Sequence, residues 1–422
     1  MSGTAAATAE TEADFCVVGG GPAGLTLALL LLRSGARVAL VERTATLRRE
    51  YRGEILQPGG MRVLDALGVL TPARAQGCHE LDRFQLVADD RVLFVSDYRQ
   101  LPPPYDHLLS IPQQQVLGQL LGRCRRYPGF TFVEGSRVTR LYRHADRVTG
   151  ALAEGRGGAL RIAAHCIVAA DGRYSRTRSL AGIASGRDDV FDQDVLWFKV
   201  PANGRAHRDV RIVRGGSDAV LLYPSGPDSV QIGWLLPHRE YRTLAPRGVE
   251  HIKDRVCAAV PQYAREIRHT VRSMADLTLL DVFAGFSPEW AQEGLLLIGD
   301  SAHTHSPIGA QGINLALQDA VAAHPVLMAS LHEKDAGVAF LERYCGPRRR
   351  DIRRMMRLQV AQSRMMLSPG RFSRALRPKM ASLVSHTPAY RRILRQIAFG
   401  SGTGISSEYF MDGYERLEQE CA

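Results

Sequence analysis

The stretch Phe15–Glu42 constrains the fold more than any other part of this 422-residue chain. A short apolar run, Phe15-Cys16-Val17-Val18, leads into Gly19-Gly20-Gly21-Pro22-Ala23-Gly24. An apolar helix pattern over Leu25–Arg33 follows and is ended by Gly35, and a second apolar run, Arg37–Val41, is closed by Glu42. This is G-x-G-x-x-G between a buried strand and a helix, with an acid at the end of the next strand. Gly19, Gly21 and Gly24 allow a tight turn, close approach to a diphosphate and close helix packing, while Glu42 can take ribose hydroxyls. A plain βαβ crossover does not need glycine at all three places, so a dinucleotide-binding βαβ unit is predicted. Leu25–Leu32 is too short to span a bilayer.

A second landmark lies near the other end. The apolar run Leu295–Ile298 is followed by Gly299-Asp300, then by a loop with Pro307, Gly309 and Gly312. Ile313, Ala316, Leu317 and Ala320 then recur at helical spacing. A strand, an acid and a glycine-rich helix start suit a polar, partly anionic ligand. Asp300 can take ribityl or ribose hydroxyls, and the helix N-terminus can face negative charge. Between the landmarks, 84–98 reads as a hairpin with Ala88-Asp89-Asp90 near its turn, and Gln113–Arg126 as an amphipathic helix. Alternating segments from Phe130 run to a buried strand ending at Asp171, and strands dominate from Asp194 to Pro237. Helices are predicted near 249–268, a strand near 276–284, and helix after 320. The two landmarks belong to one domain interrupted by the strand-rich part.

Composition excludes several classes. With 45% hydrophobic and 23% charged residues the chain is ordinary globular material. Its seven cysteines are scattered singly, so neither a disulfide framework nor a zinc site is expected, and a reducing cytoplasm suits them. The net charge of +11 is carried largely by arginine. Its densest cluster, Arg343–Arg357, reads as a solvated helix face with Asp351 among the arginines, rather than as a surface for acidic partners. No nucleic-acid motif or aromatic interleaving accompanies it. Residues 1–13 are small and polar, have no signal-peptide pattern and are expected to be disordered.

GGGPAGLTLALLL…VALVER, DGRYSRTR (Asp171–Arg178) and GDSAHTHSPIGAQGINLALQDA (Gly299–Ala320) occur in that order. Together they resemble the three fingerprints of single-component flavin-dependent aromatic hydroxylases, the group typified by para-hydroxybenzoate hydroxylase, over about residues 14–360. The resemblance implies an α/β fold: a Rossmann-like FAD-binding domain, an inserted strand-rich substrate domain and a helical C-terminus. It divides the chain into FAD-binding parts at 14–80, 106–180 and 290–360, a substrate-domain hairpin at 81–105, a substrate domain at 181–289 and a C-terminal helical segment at 361–422. It places Gly19, Gly21, Gly24, Glu42 and Arg43 on the FAD adenosine half. Asp171, Gly172 and Arg178 fall on FAD and the nicotinamide path, and Gly299 and Asp300 on the ribityl chain. Pro307, Gly309, Ala310, Gln311, Gly312 and Asn314 approach the flavin ring, and Arg52 and Gln113 meet the flavin by their order in the chain. The run Gly53–Gly60 is similar instead to squalene epoxidase and related isoprenoid epoxidases.

The function implied is an FAD monooxygenase using NAD(P)H and O2. Its C4a-hydroperoxyflavin would hydroxylate an electron-rich aromatic molecule, phenolic or polyketide-like, or epoxidise an isoprenoid alkene. A flavin-dependent isoprenoid reductase, a halogenase and a non-enzymatic FAD-binding module are the rivals. Trp197, Tyr223 and Trp234 are the candidates for the substrate wall, with packing against helices the plainer reading. No catalytic residue stands out; His107, His303 and His305 are candidate bases, and His303 and His305 lack a third partner for a metal. The apolar residues between Ile352 and Phe399, among them Met355, Met356, Met365, Met366, Leu367, Leu394 and Ile397, suit either helix packing or peripheral contact with a membrane surface. The expected location is cytoplasmic.

Overall fold

A computed structural model describes residues 9–46, 54–88, 91–188, 193–205, 207–215, 218–307, 309–367, 387–400, 402 and 404–411. Its first sheet runs in the order Ala291–Gln292, Leu295–Leu297, Gly158–Ala169, Ala9–Val18, Val38–Glu42, Phe130–Glu134. Val18 pairs with Ala169, Cys16 with Ala39, and Ile167 with Leu295, all in parallel. Parallel strands are covered on both faces, so they read as continuous apolar runs. The helix Pro22–Arg33 is buried at ten successive positions, Ala23 to Leu32, because it is enclosed by this sheet and by the helices Gln113–Cys124 and Gly312–Glu333.

The first strand begins at Ala9, which corrects the expectation of disorder through residue 13; residues 1–8 lie outside the described part. Ala9–Ala13 pair with Leu160–Ala164. A backbone ladder needs no apolar side chains, which is why polar Glu10 and Glu12 gave no strand signal.

The second sheet has seven strands in the order Thr278–Leu280, Gln193–Pro201, Ser229–Pro237, Asp218–Ser225, Asp209–Gly215, Arg83–Ala88, Arg91–Asp97. The early hairpin joins it by a parallel pairing, Ile212 opposite Leu86; Asp89 and Asp90 lie outside the described residues. One face carries Leu196, Phe198, Val220, Ile232 and Trp234, packed against the helices Val249–Ala259 and Ala264–Thr270. The other carries Trp197, Ile212, Leu221 and Tyr223 and meets the C-terminal helix Pro388–Phe399. Trp197, Gly233, Leu221, Ile212, Leu86 and Phe94 form one cross-strand row. A Cβ at Gly233 would sit 2.4 Å from the Trp197 ring, so glycine there lets the indole lie across the neighbouring strand.

Candidate active site

The three glycine-containing loops meet at one place. A Cβ on Gly19, whose φ is +111°, would lie 2.4 Å from the Ala170 carbonyl oxygen, and one on Gly24 would lie 1.9 Å from the Gly19 carbonyl oxygen. A Cβ on Gly299 would be 3.2 Å from Ala23. The Gly172 N–H donates to Ser301 Oγ at 3.0 Å, and Ser301 Oγ donates to Asp171 at 3.2 Å. Arg178, buried, donates to the carbonyls of Ser301 at 2.8 Å and Arg173 at 3.2 Å. Burial lowers its pKa from the usual arginine value.

Asp171 and Arg178 therefore shape their loops. The Asp171 carboxylate also accepts bonds from Ser175 Oγ and from the N–H and hydroxyl of Thr177, both at 2.9 Å. Glu42 is likewise held, accepting from Gly20 N–H at 2.7 Å, Thr44 N–H at 3.0 Å and Thr44 Oγ1 at 2.7 Å. Arg43 is exposed beside it. Arg52 lies outside the described residues.

The residues fit FAD by several observations. The helix starting at Pro22, with Gly21 at its N-cap, has no side-chain cap, and neither does the one starting at Gly312, with Gln311 at its N-cap. Uncapped helix starts leave N–H groups and positive dipole ends for an anionic ligand. Gln113 opens its helix buried, and its Oε1 has no hydrogen-bond partner. The Asp300 side chain is partly exposed, with Arg173 3.7 Å away.

The loop at 307–312 is held from behind by Asn314 and Gln311, which the sequence singled out, and by Gln57, which it did not. Gln57 Nε2 donates to the Gly309 carbonyl at 2.8 Å, and Gln57 N–H donates to Asn314 Oδ1 at 2.9 Å. Asn314 Nδ2 donates to the Ala310 carbonyl at 2.6 Å, and Gln311 Nε2 to the carbonyls of Gly309 at 3.2 Å and Ile397 at 2.9 Å. Asn314 and Gln311 are thus clamps of the loop. The only sequence signal for Gln57 was its place in the unusual run Gly53–Gly60.

Beneath the loop lies a buried polar chain. Asp319 accepts from Gly299 N–H at 2.7 Å, His303 Nε2 at 2.7 Å and Arg348 Nε at 2.5 Å. His303 Nδ1 meets His305 Nε2 at 2.9 Å, and His305 Nδ1 meets Gln359 Oε1 at 3.0 Å. Burial alone would raise the Asp319 pKa, but the charges and hydrogen bonds of His303 and Arg348 outweigh it and hold the carboxyl below its usual range. Burial first, and then the charge of His303, lowers the His305 pKa to about 3. Arg348 corrects the reading of Arg343–Arg357 as a wholly solvated face: it is 3% exposed because Asp319 needs a buried counter-ion. His107, buried near Glu80 and Asp106, lies apart from this chain of contacts.

On the other side of the loop is a small, largely apolar cavity of about 30 Å3. Phe84, Val210, Ile212 and Leu221 of the second sheet, Leu394 and Ile397 of the C-terminal helix, and Pro307, Gly309 and Ala310 form its walls. Its polar groups are Gln57, Ser96, Tyr98 and Gln362. Trp197 and Tyr223 share the sheet face of Leu221 and touch edge to face at 6.2 Å, but the cavity wall is made by their neighbours. Trp234 points to the opposite face: strand alternation turns it away, its Nε1 donates to Asp218 at 3.1 Å, and Arg255 lies over its ring. Leu394 is buried against the cavity. Met355 is buried in the core of the first sheet, while the side chains of Met365, Met366 and Leu367 lie outside the described residues. Among the described residues no helix is long and apolar enough to cross a membrane.

Comparison with known proteins agrees with this geometry. The model of the FAD binding domain family matches residues 12–359. The chain is 57% identical over 401 residues to 6-methylpretetramide 4-monooxygenase of Streptomyces rimosus, covering 95% of this chain and 96% of that protein. It is 27% identical to protoasukamycin 4-monooxygenase of Streptomyces nodosus subsp. asukaensis, over 82% of this chain and 87% of that protein. The crystal structure of p-nitrophenol 4-monooxygenase PnpA from Pseudomonas putida DLL-E4 superposes with a TM-score of 0.78 at 20% identity, covering 93% of this chain and all of that one, and so shares the fold. By name these three relatives are 4-monooxygenases, and none of the three is named an epoxidase. The chain belongs to the FAD binding domain family, and is a single-component FAD-dependent monooxygenase of the para-hydroxybenzoate hydroxylase-like group.

Proposed function

We propose that this enzyme hydroxylates a phenolic ring of an uncharged polycyclic aromatic of polyketide type. The observation that carries this is the character of the cavity beside the 307–312 loop: apolar walls, neutral polar groups, and no cationic side chain among its lining residues. A carboxylate buried there would go unpaired, at a cost of several kcal/mol. The relative with 57% identity is named for a 4-monooxygenation of 6-methylpretetramide, which supports the same substrate class.

Bound FAD would supply the activation of O2, with electrons from NAD(P)H. The chain's own residues do the rest. The helix start at Gly21-Pro22 offers its N–H groups to the diphosphate, and Glu42 and Asp300 offer carboxylates to hydroxyls. Asn314, Gln57 and Gln311 hold the 307–312 loop in place. Leu221, Ile212, Leu394 and Ile397 exclude water from the ring to be hydroxylated. Arg173, near Asp300 and beside the exposed Tyr174, supports a docking path for the nicotinamide. Six cysteines among the described residues are free, in keeping with a cytoplasmic setting.

The test is to purify the chain, confirm bound or reconstitutable FAD, and measure NAD(P)H and O2 consumption with 6-methylpretetramide, simple phenols, aromatic acids and isoprenoid alkenes. Polycyclic phenols are expected to stimulate turnover and give a product one oxygen heavier. Turnover of an aromatic acid or an alkene in their place would refute the reading.

A further inference from the structure

One wall of the cavity carries a buried amide, Gln57, whose side chain lies against the Tyr98 hydroxyl. Gln57 is 1% exposed, and its Oε1 has no hydrogen-bond partner, although the rest of the residue is tied down. Its Nε2 donates to Gly309 at 2.8 Å and its backbone N–H to Asn314 at 2.9 Å. The amide therefore cannot turn away without breaking a bond to the loop that faces the flavin. A buried unsatisfied carbonyl is costly and is normally avoided; where it lines a cavity, its partner is expected to be a ligand.

Tyr98 lines the same cavity and is 4% exposed. Burial raises its pKa well above the usual phenol value, and the adjacent Gln57 amide only partly offsets this. Its hydroxyl keeps its proton at neutral pH and is a donor. Ser96, next along, already accepts a bond from Tyr390 at 2.6 Å. The wall of an otherwise apolar cavity thus carries an amide and a phenol hydroxyl close together, both uncharged, beside the hydrogen bond that holds the reactive loop.

We propose that Gln57 and Tyr98 are the substrate-reading pair of this enzyme: Gln57 Oε1 accepts the O–H of a substrate phenol, and Tyr98 donates to that oxygen or to a carbonyl beside it. This rests on the hydroxylase reading above. The pair explains how an uncharged aromatic is oriented with no salt bridge. Because Gln57 also holds Gly309, the substrate's hydroxyl is set in register with the loop that faces the flavin. A site built around a substrate hydroxyl discriminates against analogues lacking it far more strongly than apolar walls can.

The experiment uses the FAD-loaded full chain with 6-methylpretetramide and a series of its mono-O-methyl ethers. Wild type, Tyr98→Phe and Gln57→Leu are compared for flavin content, KM and kcat. Tyr98→Phe keeps the ring and removes only the hydroxyl, so it remains informative if Gln57→Leu disturbs the loop. The expected result is a rise in KM of about tenfold for the free phenol in each variant, with flavin content unchanged in Tyr98→Phe. For the one ether that blocks the recognised hydroxyl, wild type and variants should agree within about twofold. An equal shift for all ethers and the parent, or no shift in Tyr98→Phe, would overturn the pair while leaving the hydroxylase reading standing. A wild-type enzyme inactive on the parent and on every other polycyclic phenol would overturn the reading and the pair together.

Discussion

Asp319 shows what a single side chain contributes here. It joins the N–H of Gly299, the imidazole of His303 and the guanidinium of Arg348, on three separate segments, with almost no exposure. Removing Arg348 leaves the Asp319 carboxylate charged and dry. Arg348→Met is therefore expected to destabilise the protein by about 3 kcal/mol or more, read as a drop in the denaturant midpoint. The double variant Arg348→Met with Asp319→Asn should recover part of that loss, since the stranded charge goes with it. Additive losses in the double variant would mean that the pair is not coupled. Gly24→Ala is a second residue-scale case. Its Cβ would meet the Gly19 carbonyl at 1.9 Å, so FAD content should collapse, whereas Gly118→Ala, with open space around it, should leave FAD content unaltered.

Among the elements, the second sheet shows where sequence reading stopped. The parallel strands and glycine loops of the cofactor part were legible because each carries a local signature: an apolar run, a glycine where a Cβ has no room, an acid at a strand end. The wall of the cavity was not. Trp197, Tyr223 and Trp234 stand out by size, but which face a strand residue occupies depends on register, and one step separates Gly233 from Trp234 and one sheet face from the other. The residues that do line the cavity, Ile212 and Leu221, look like any others in a strand. Arg348 was hidden for a related reason, since one buried arginine among many exposed ones has no distinct spacing. Gly233 offers a check on the row. Gly233→Ala should cost 1–3 kcal/mol by overpacking against the Trp197 ring, and adding Trp197→Leu should relieve it. A harmless Gly233→Ala would show that the indole does not cross that strand.

At the scale of the whole molecule, acid is expected to be a weakness. His305 and His324 are buried, and burial lowers their pKa values to about 3 and about 4, from an ordinary value of 6.5. Both stay neutral in the fold, while the unfolded chain binds protons near pH 6.5. Stability is thus complete above about pH 6.5 and falls as pH drops toward 4 and then 3, by roughly 1.4 kcal/mol per unit of displaced titration for each group. Asp319 acts in the same direction at still lower pH. Melting temperatures measured from pH 8 down to 4.5 should decline below about 6.5, and His324→Leu should flatten part of the slope; a level profile would contradict this. The helix Pro388–Phe399 has a different consequence. It supplies Leu394 and Ile397 to the cavity and is bonded across it through Tyr390 and Ser96, yet it lies beyond residue 359, where the match to the family ends. The helix is also bonded to the 307–312 loop, through Gln311 Nε2 and the Ile397 carbonyl at 2.9 Å. One short element beyond the family match thus touches both the cavity and the loop, so chimeras that exchange only this tail are expected to change cavity shape and loop position together.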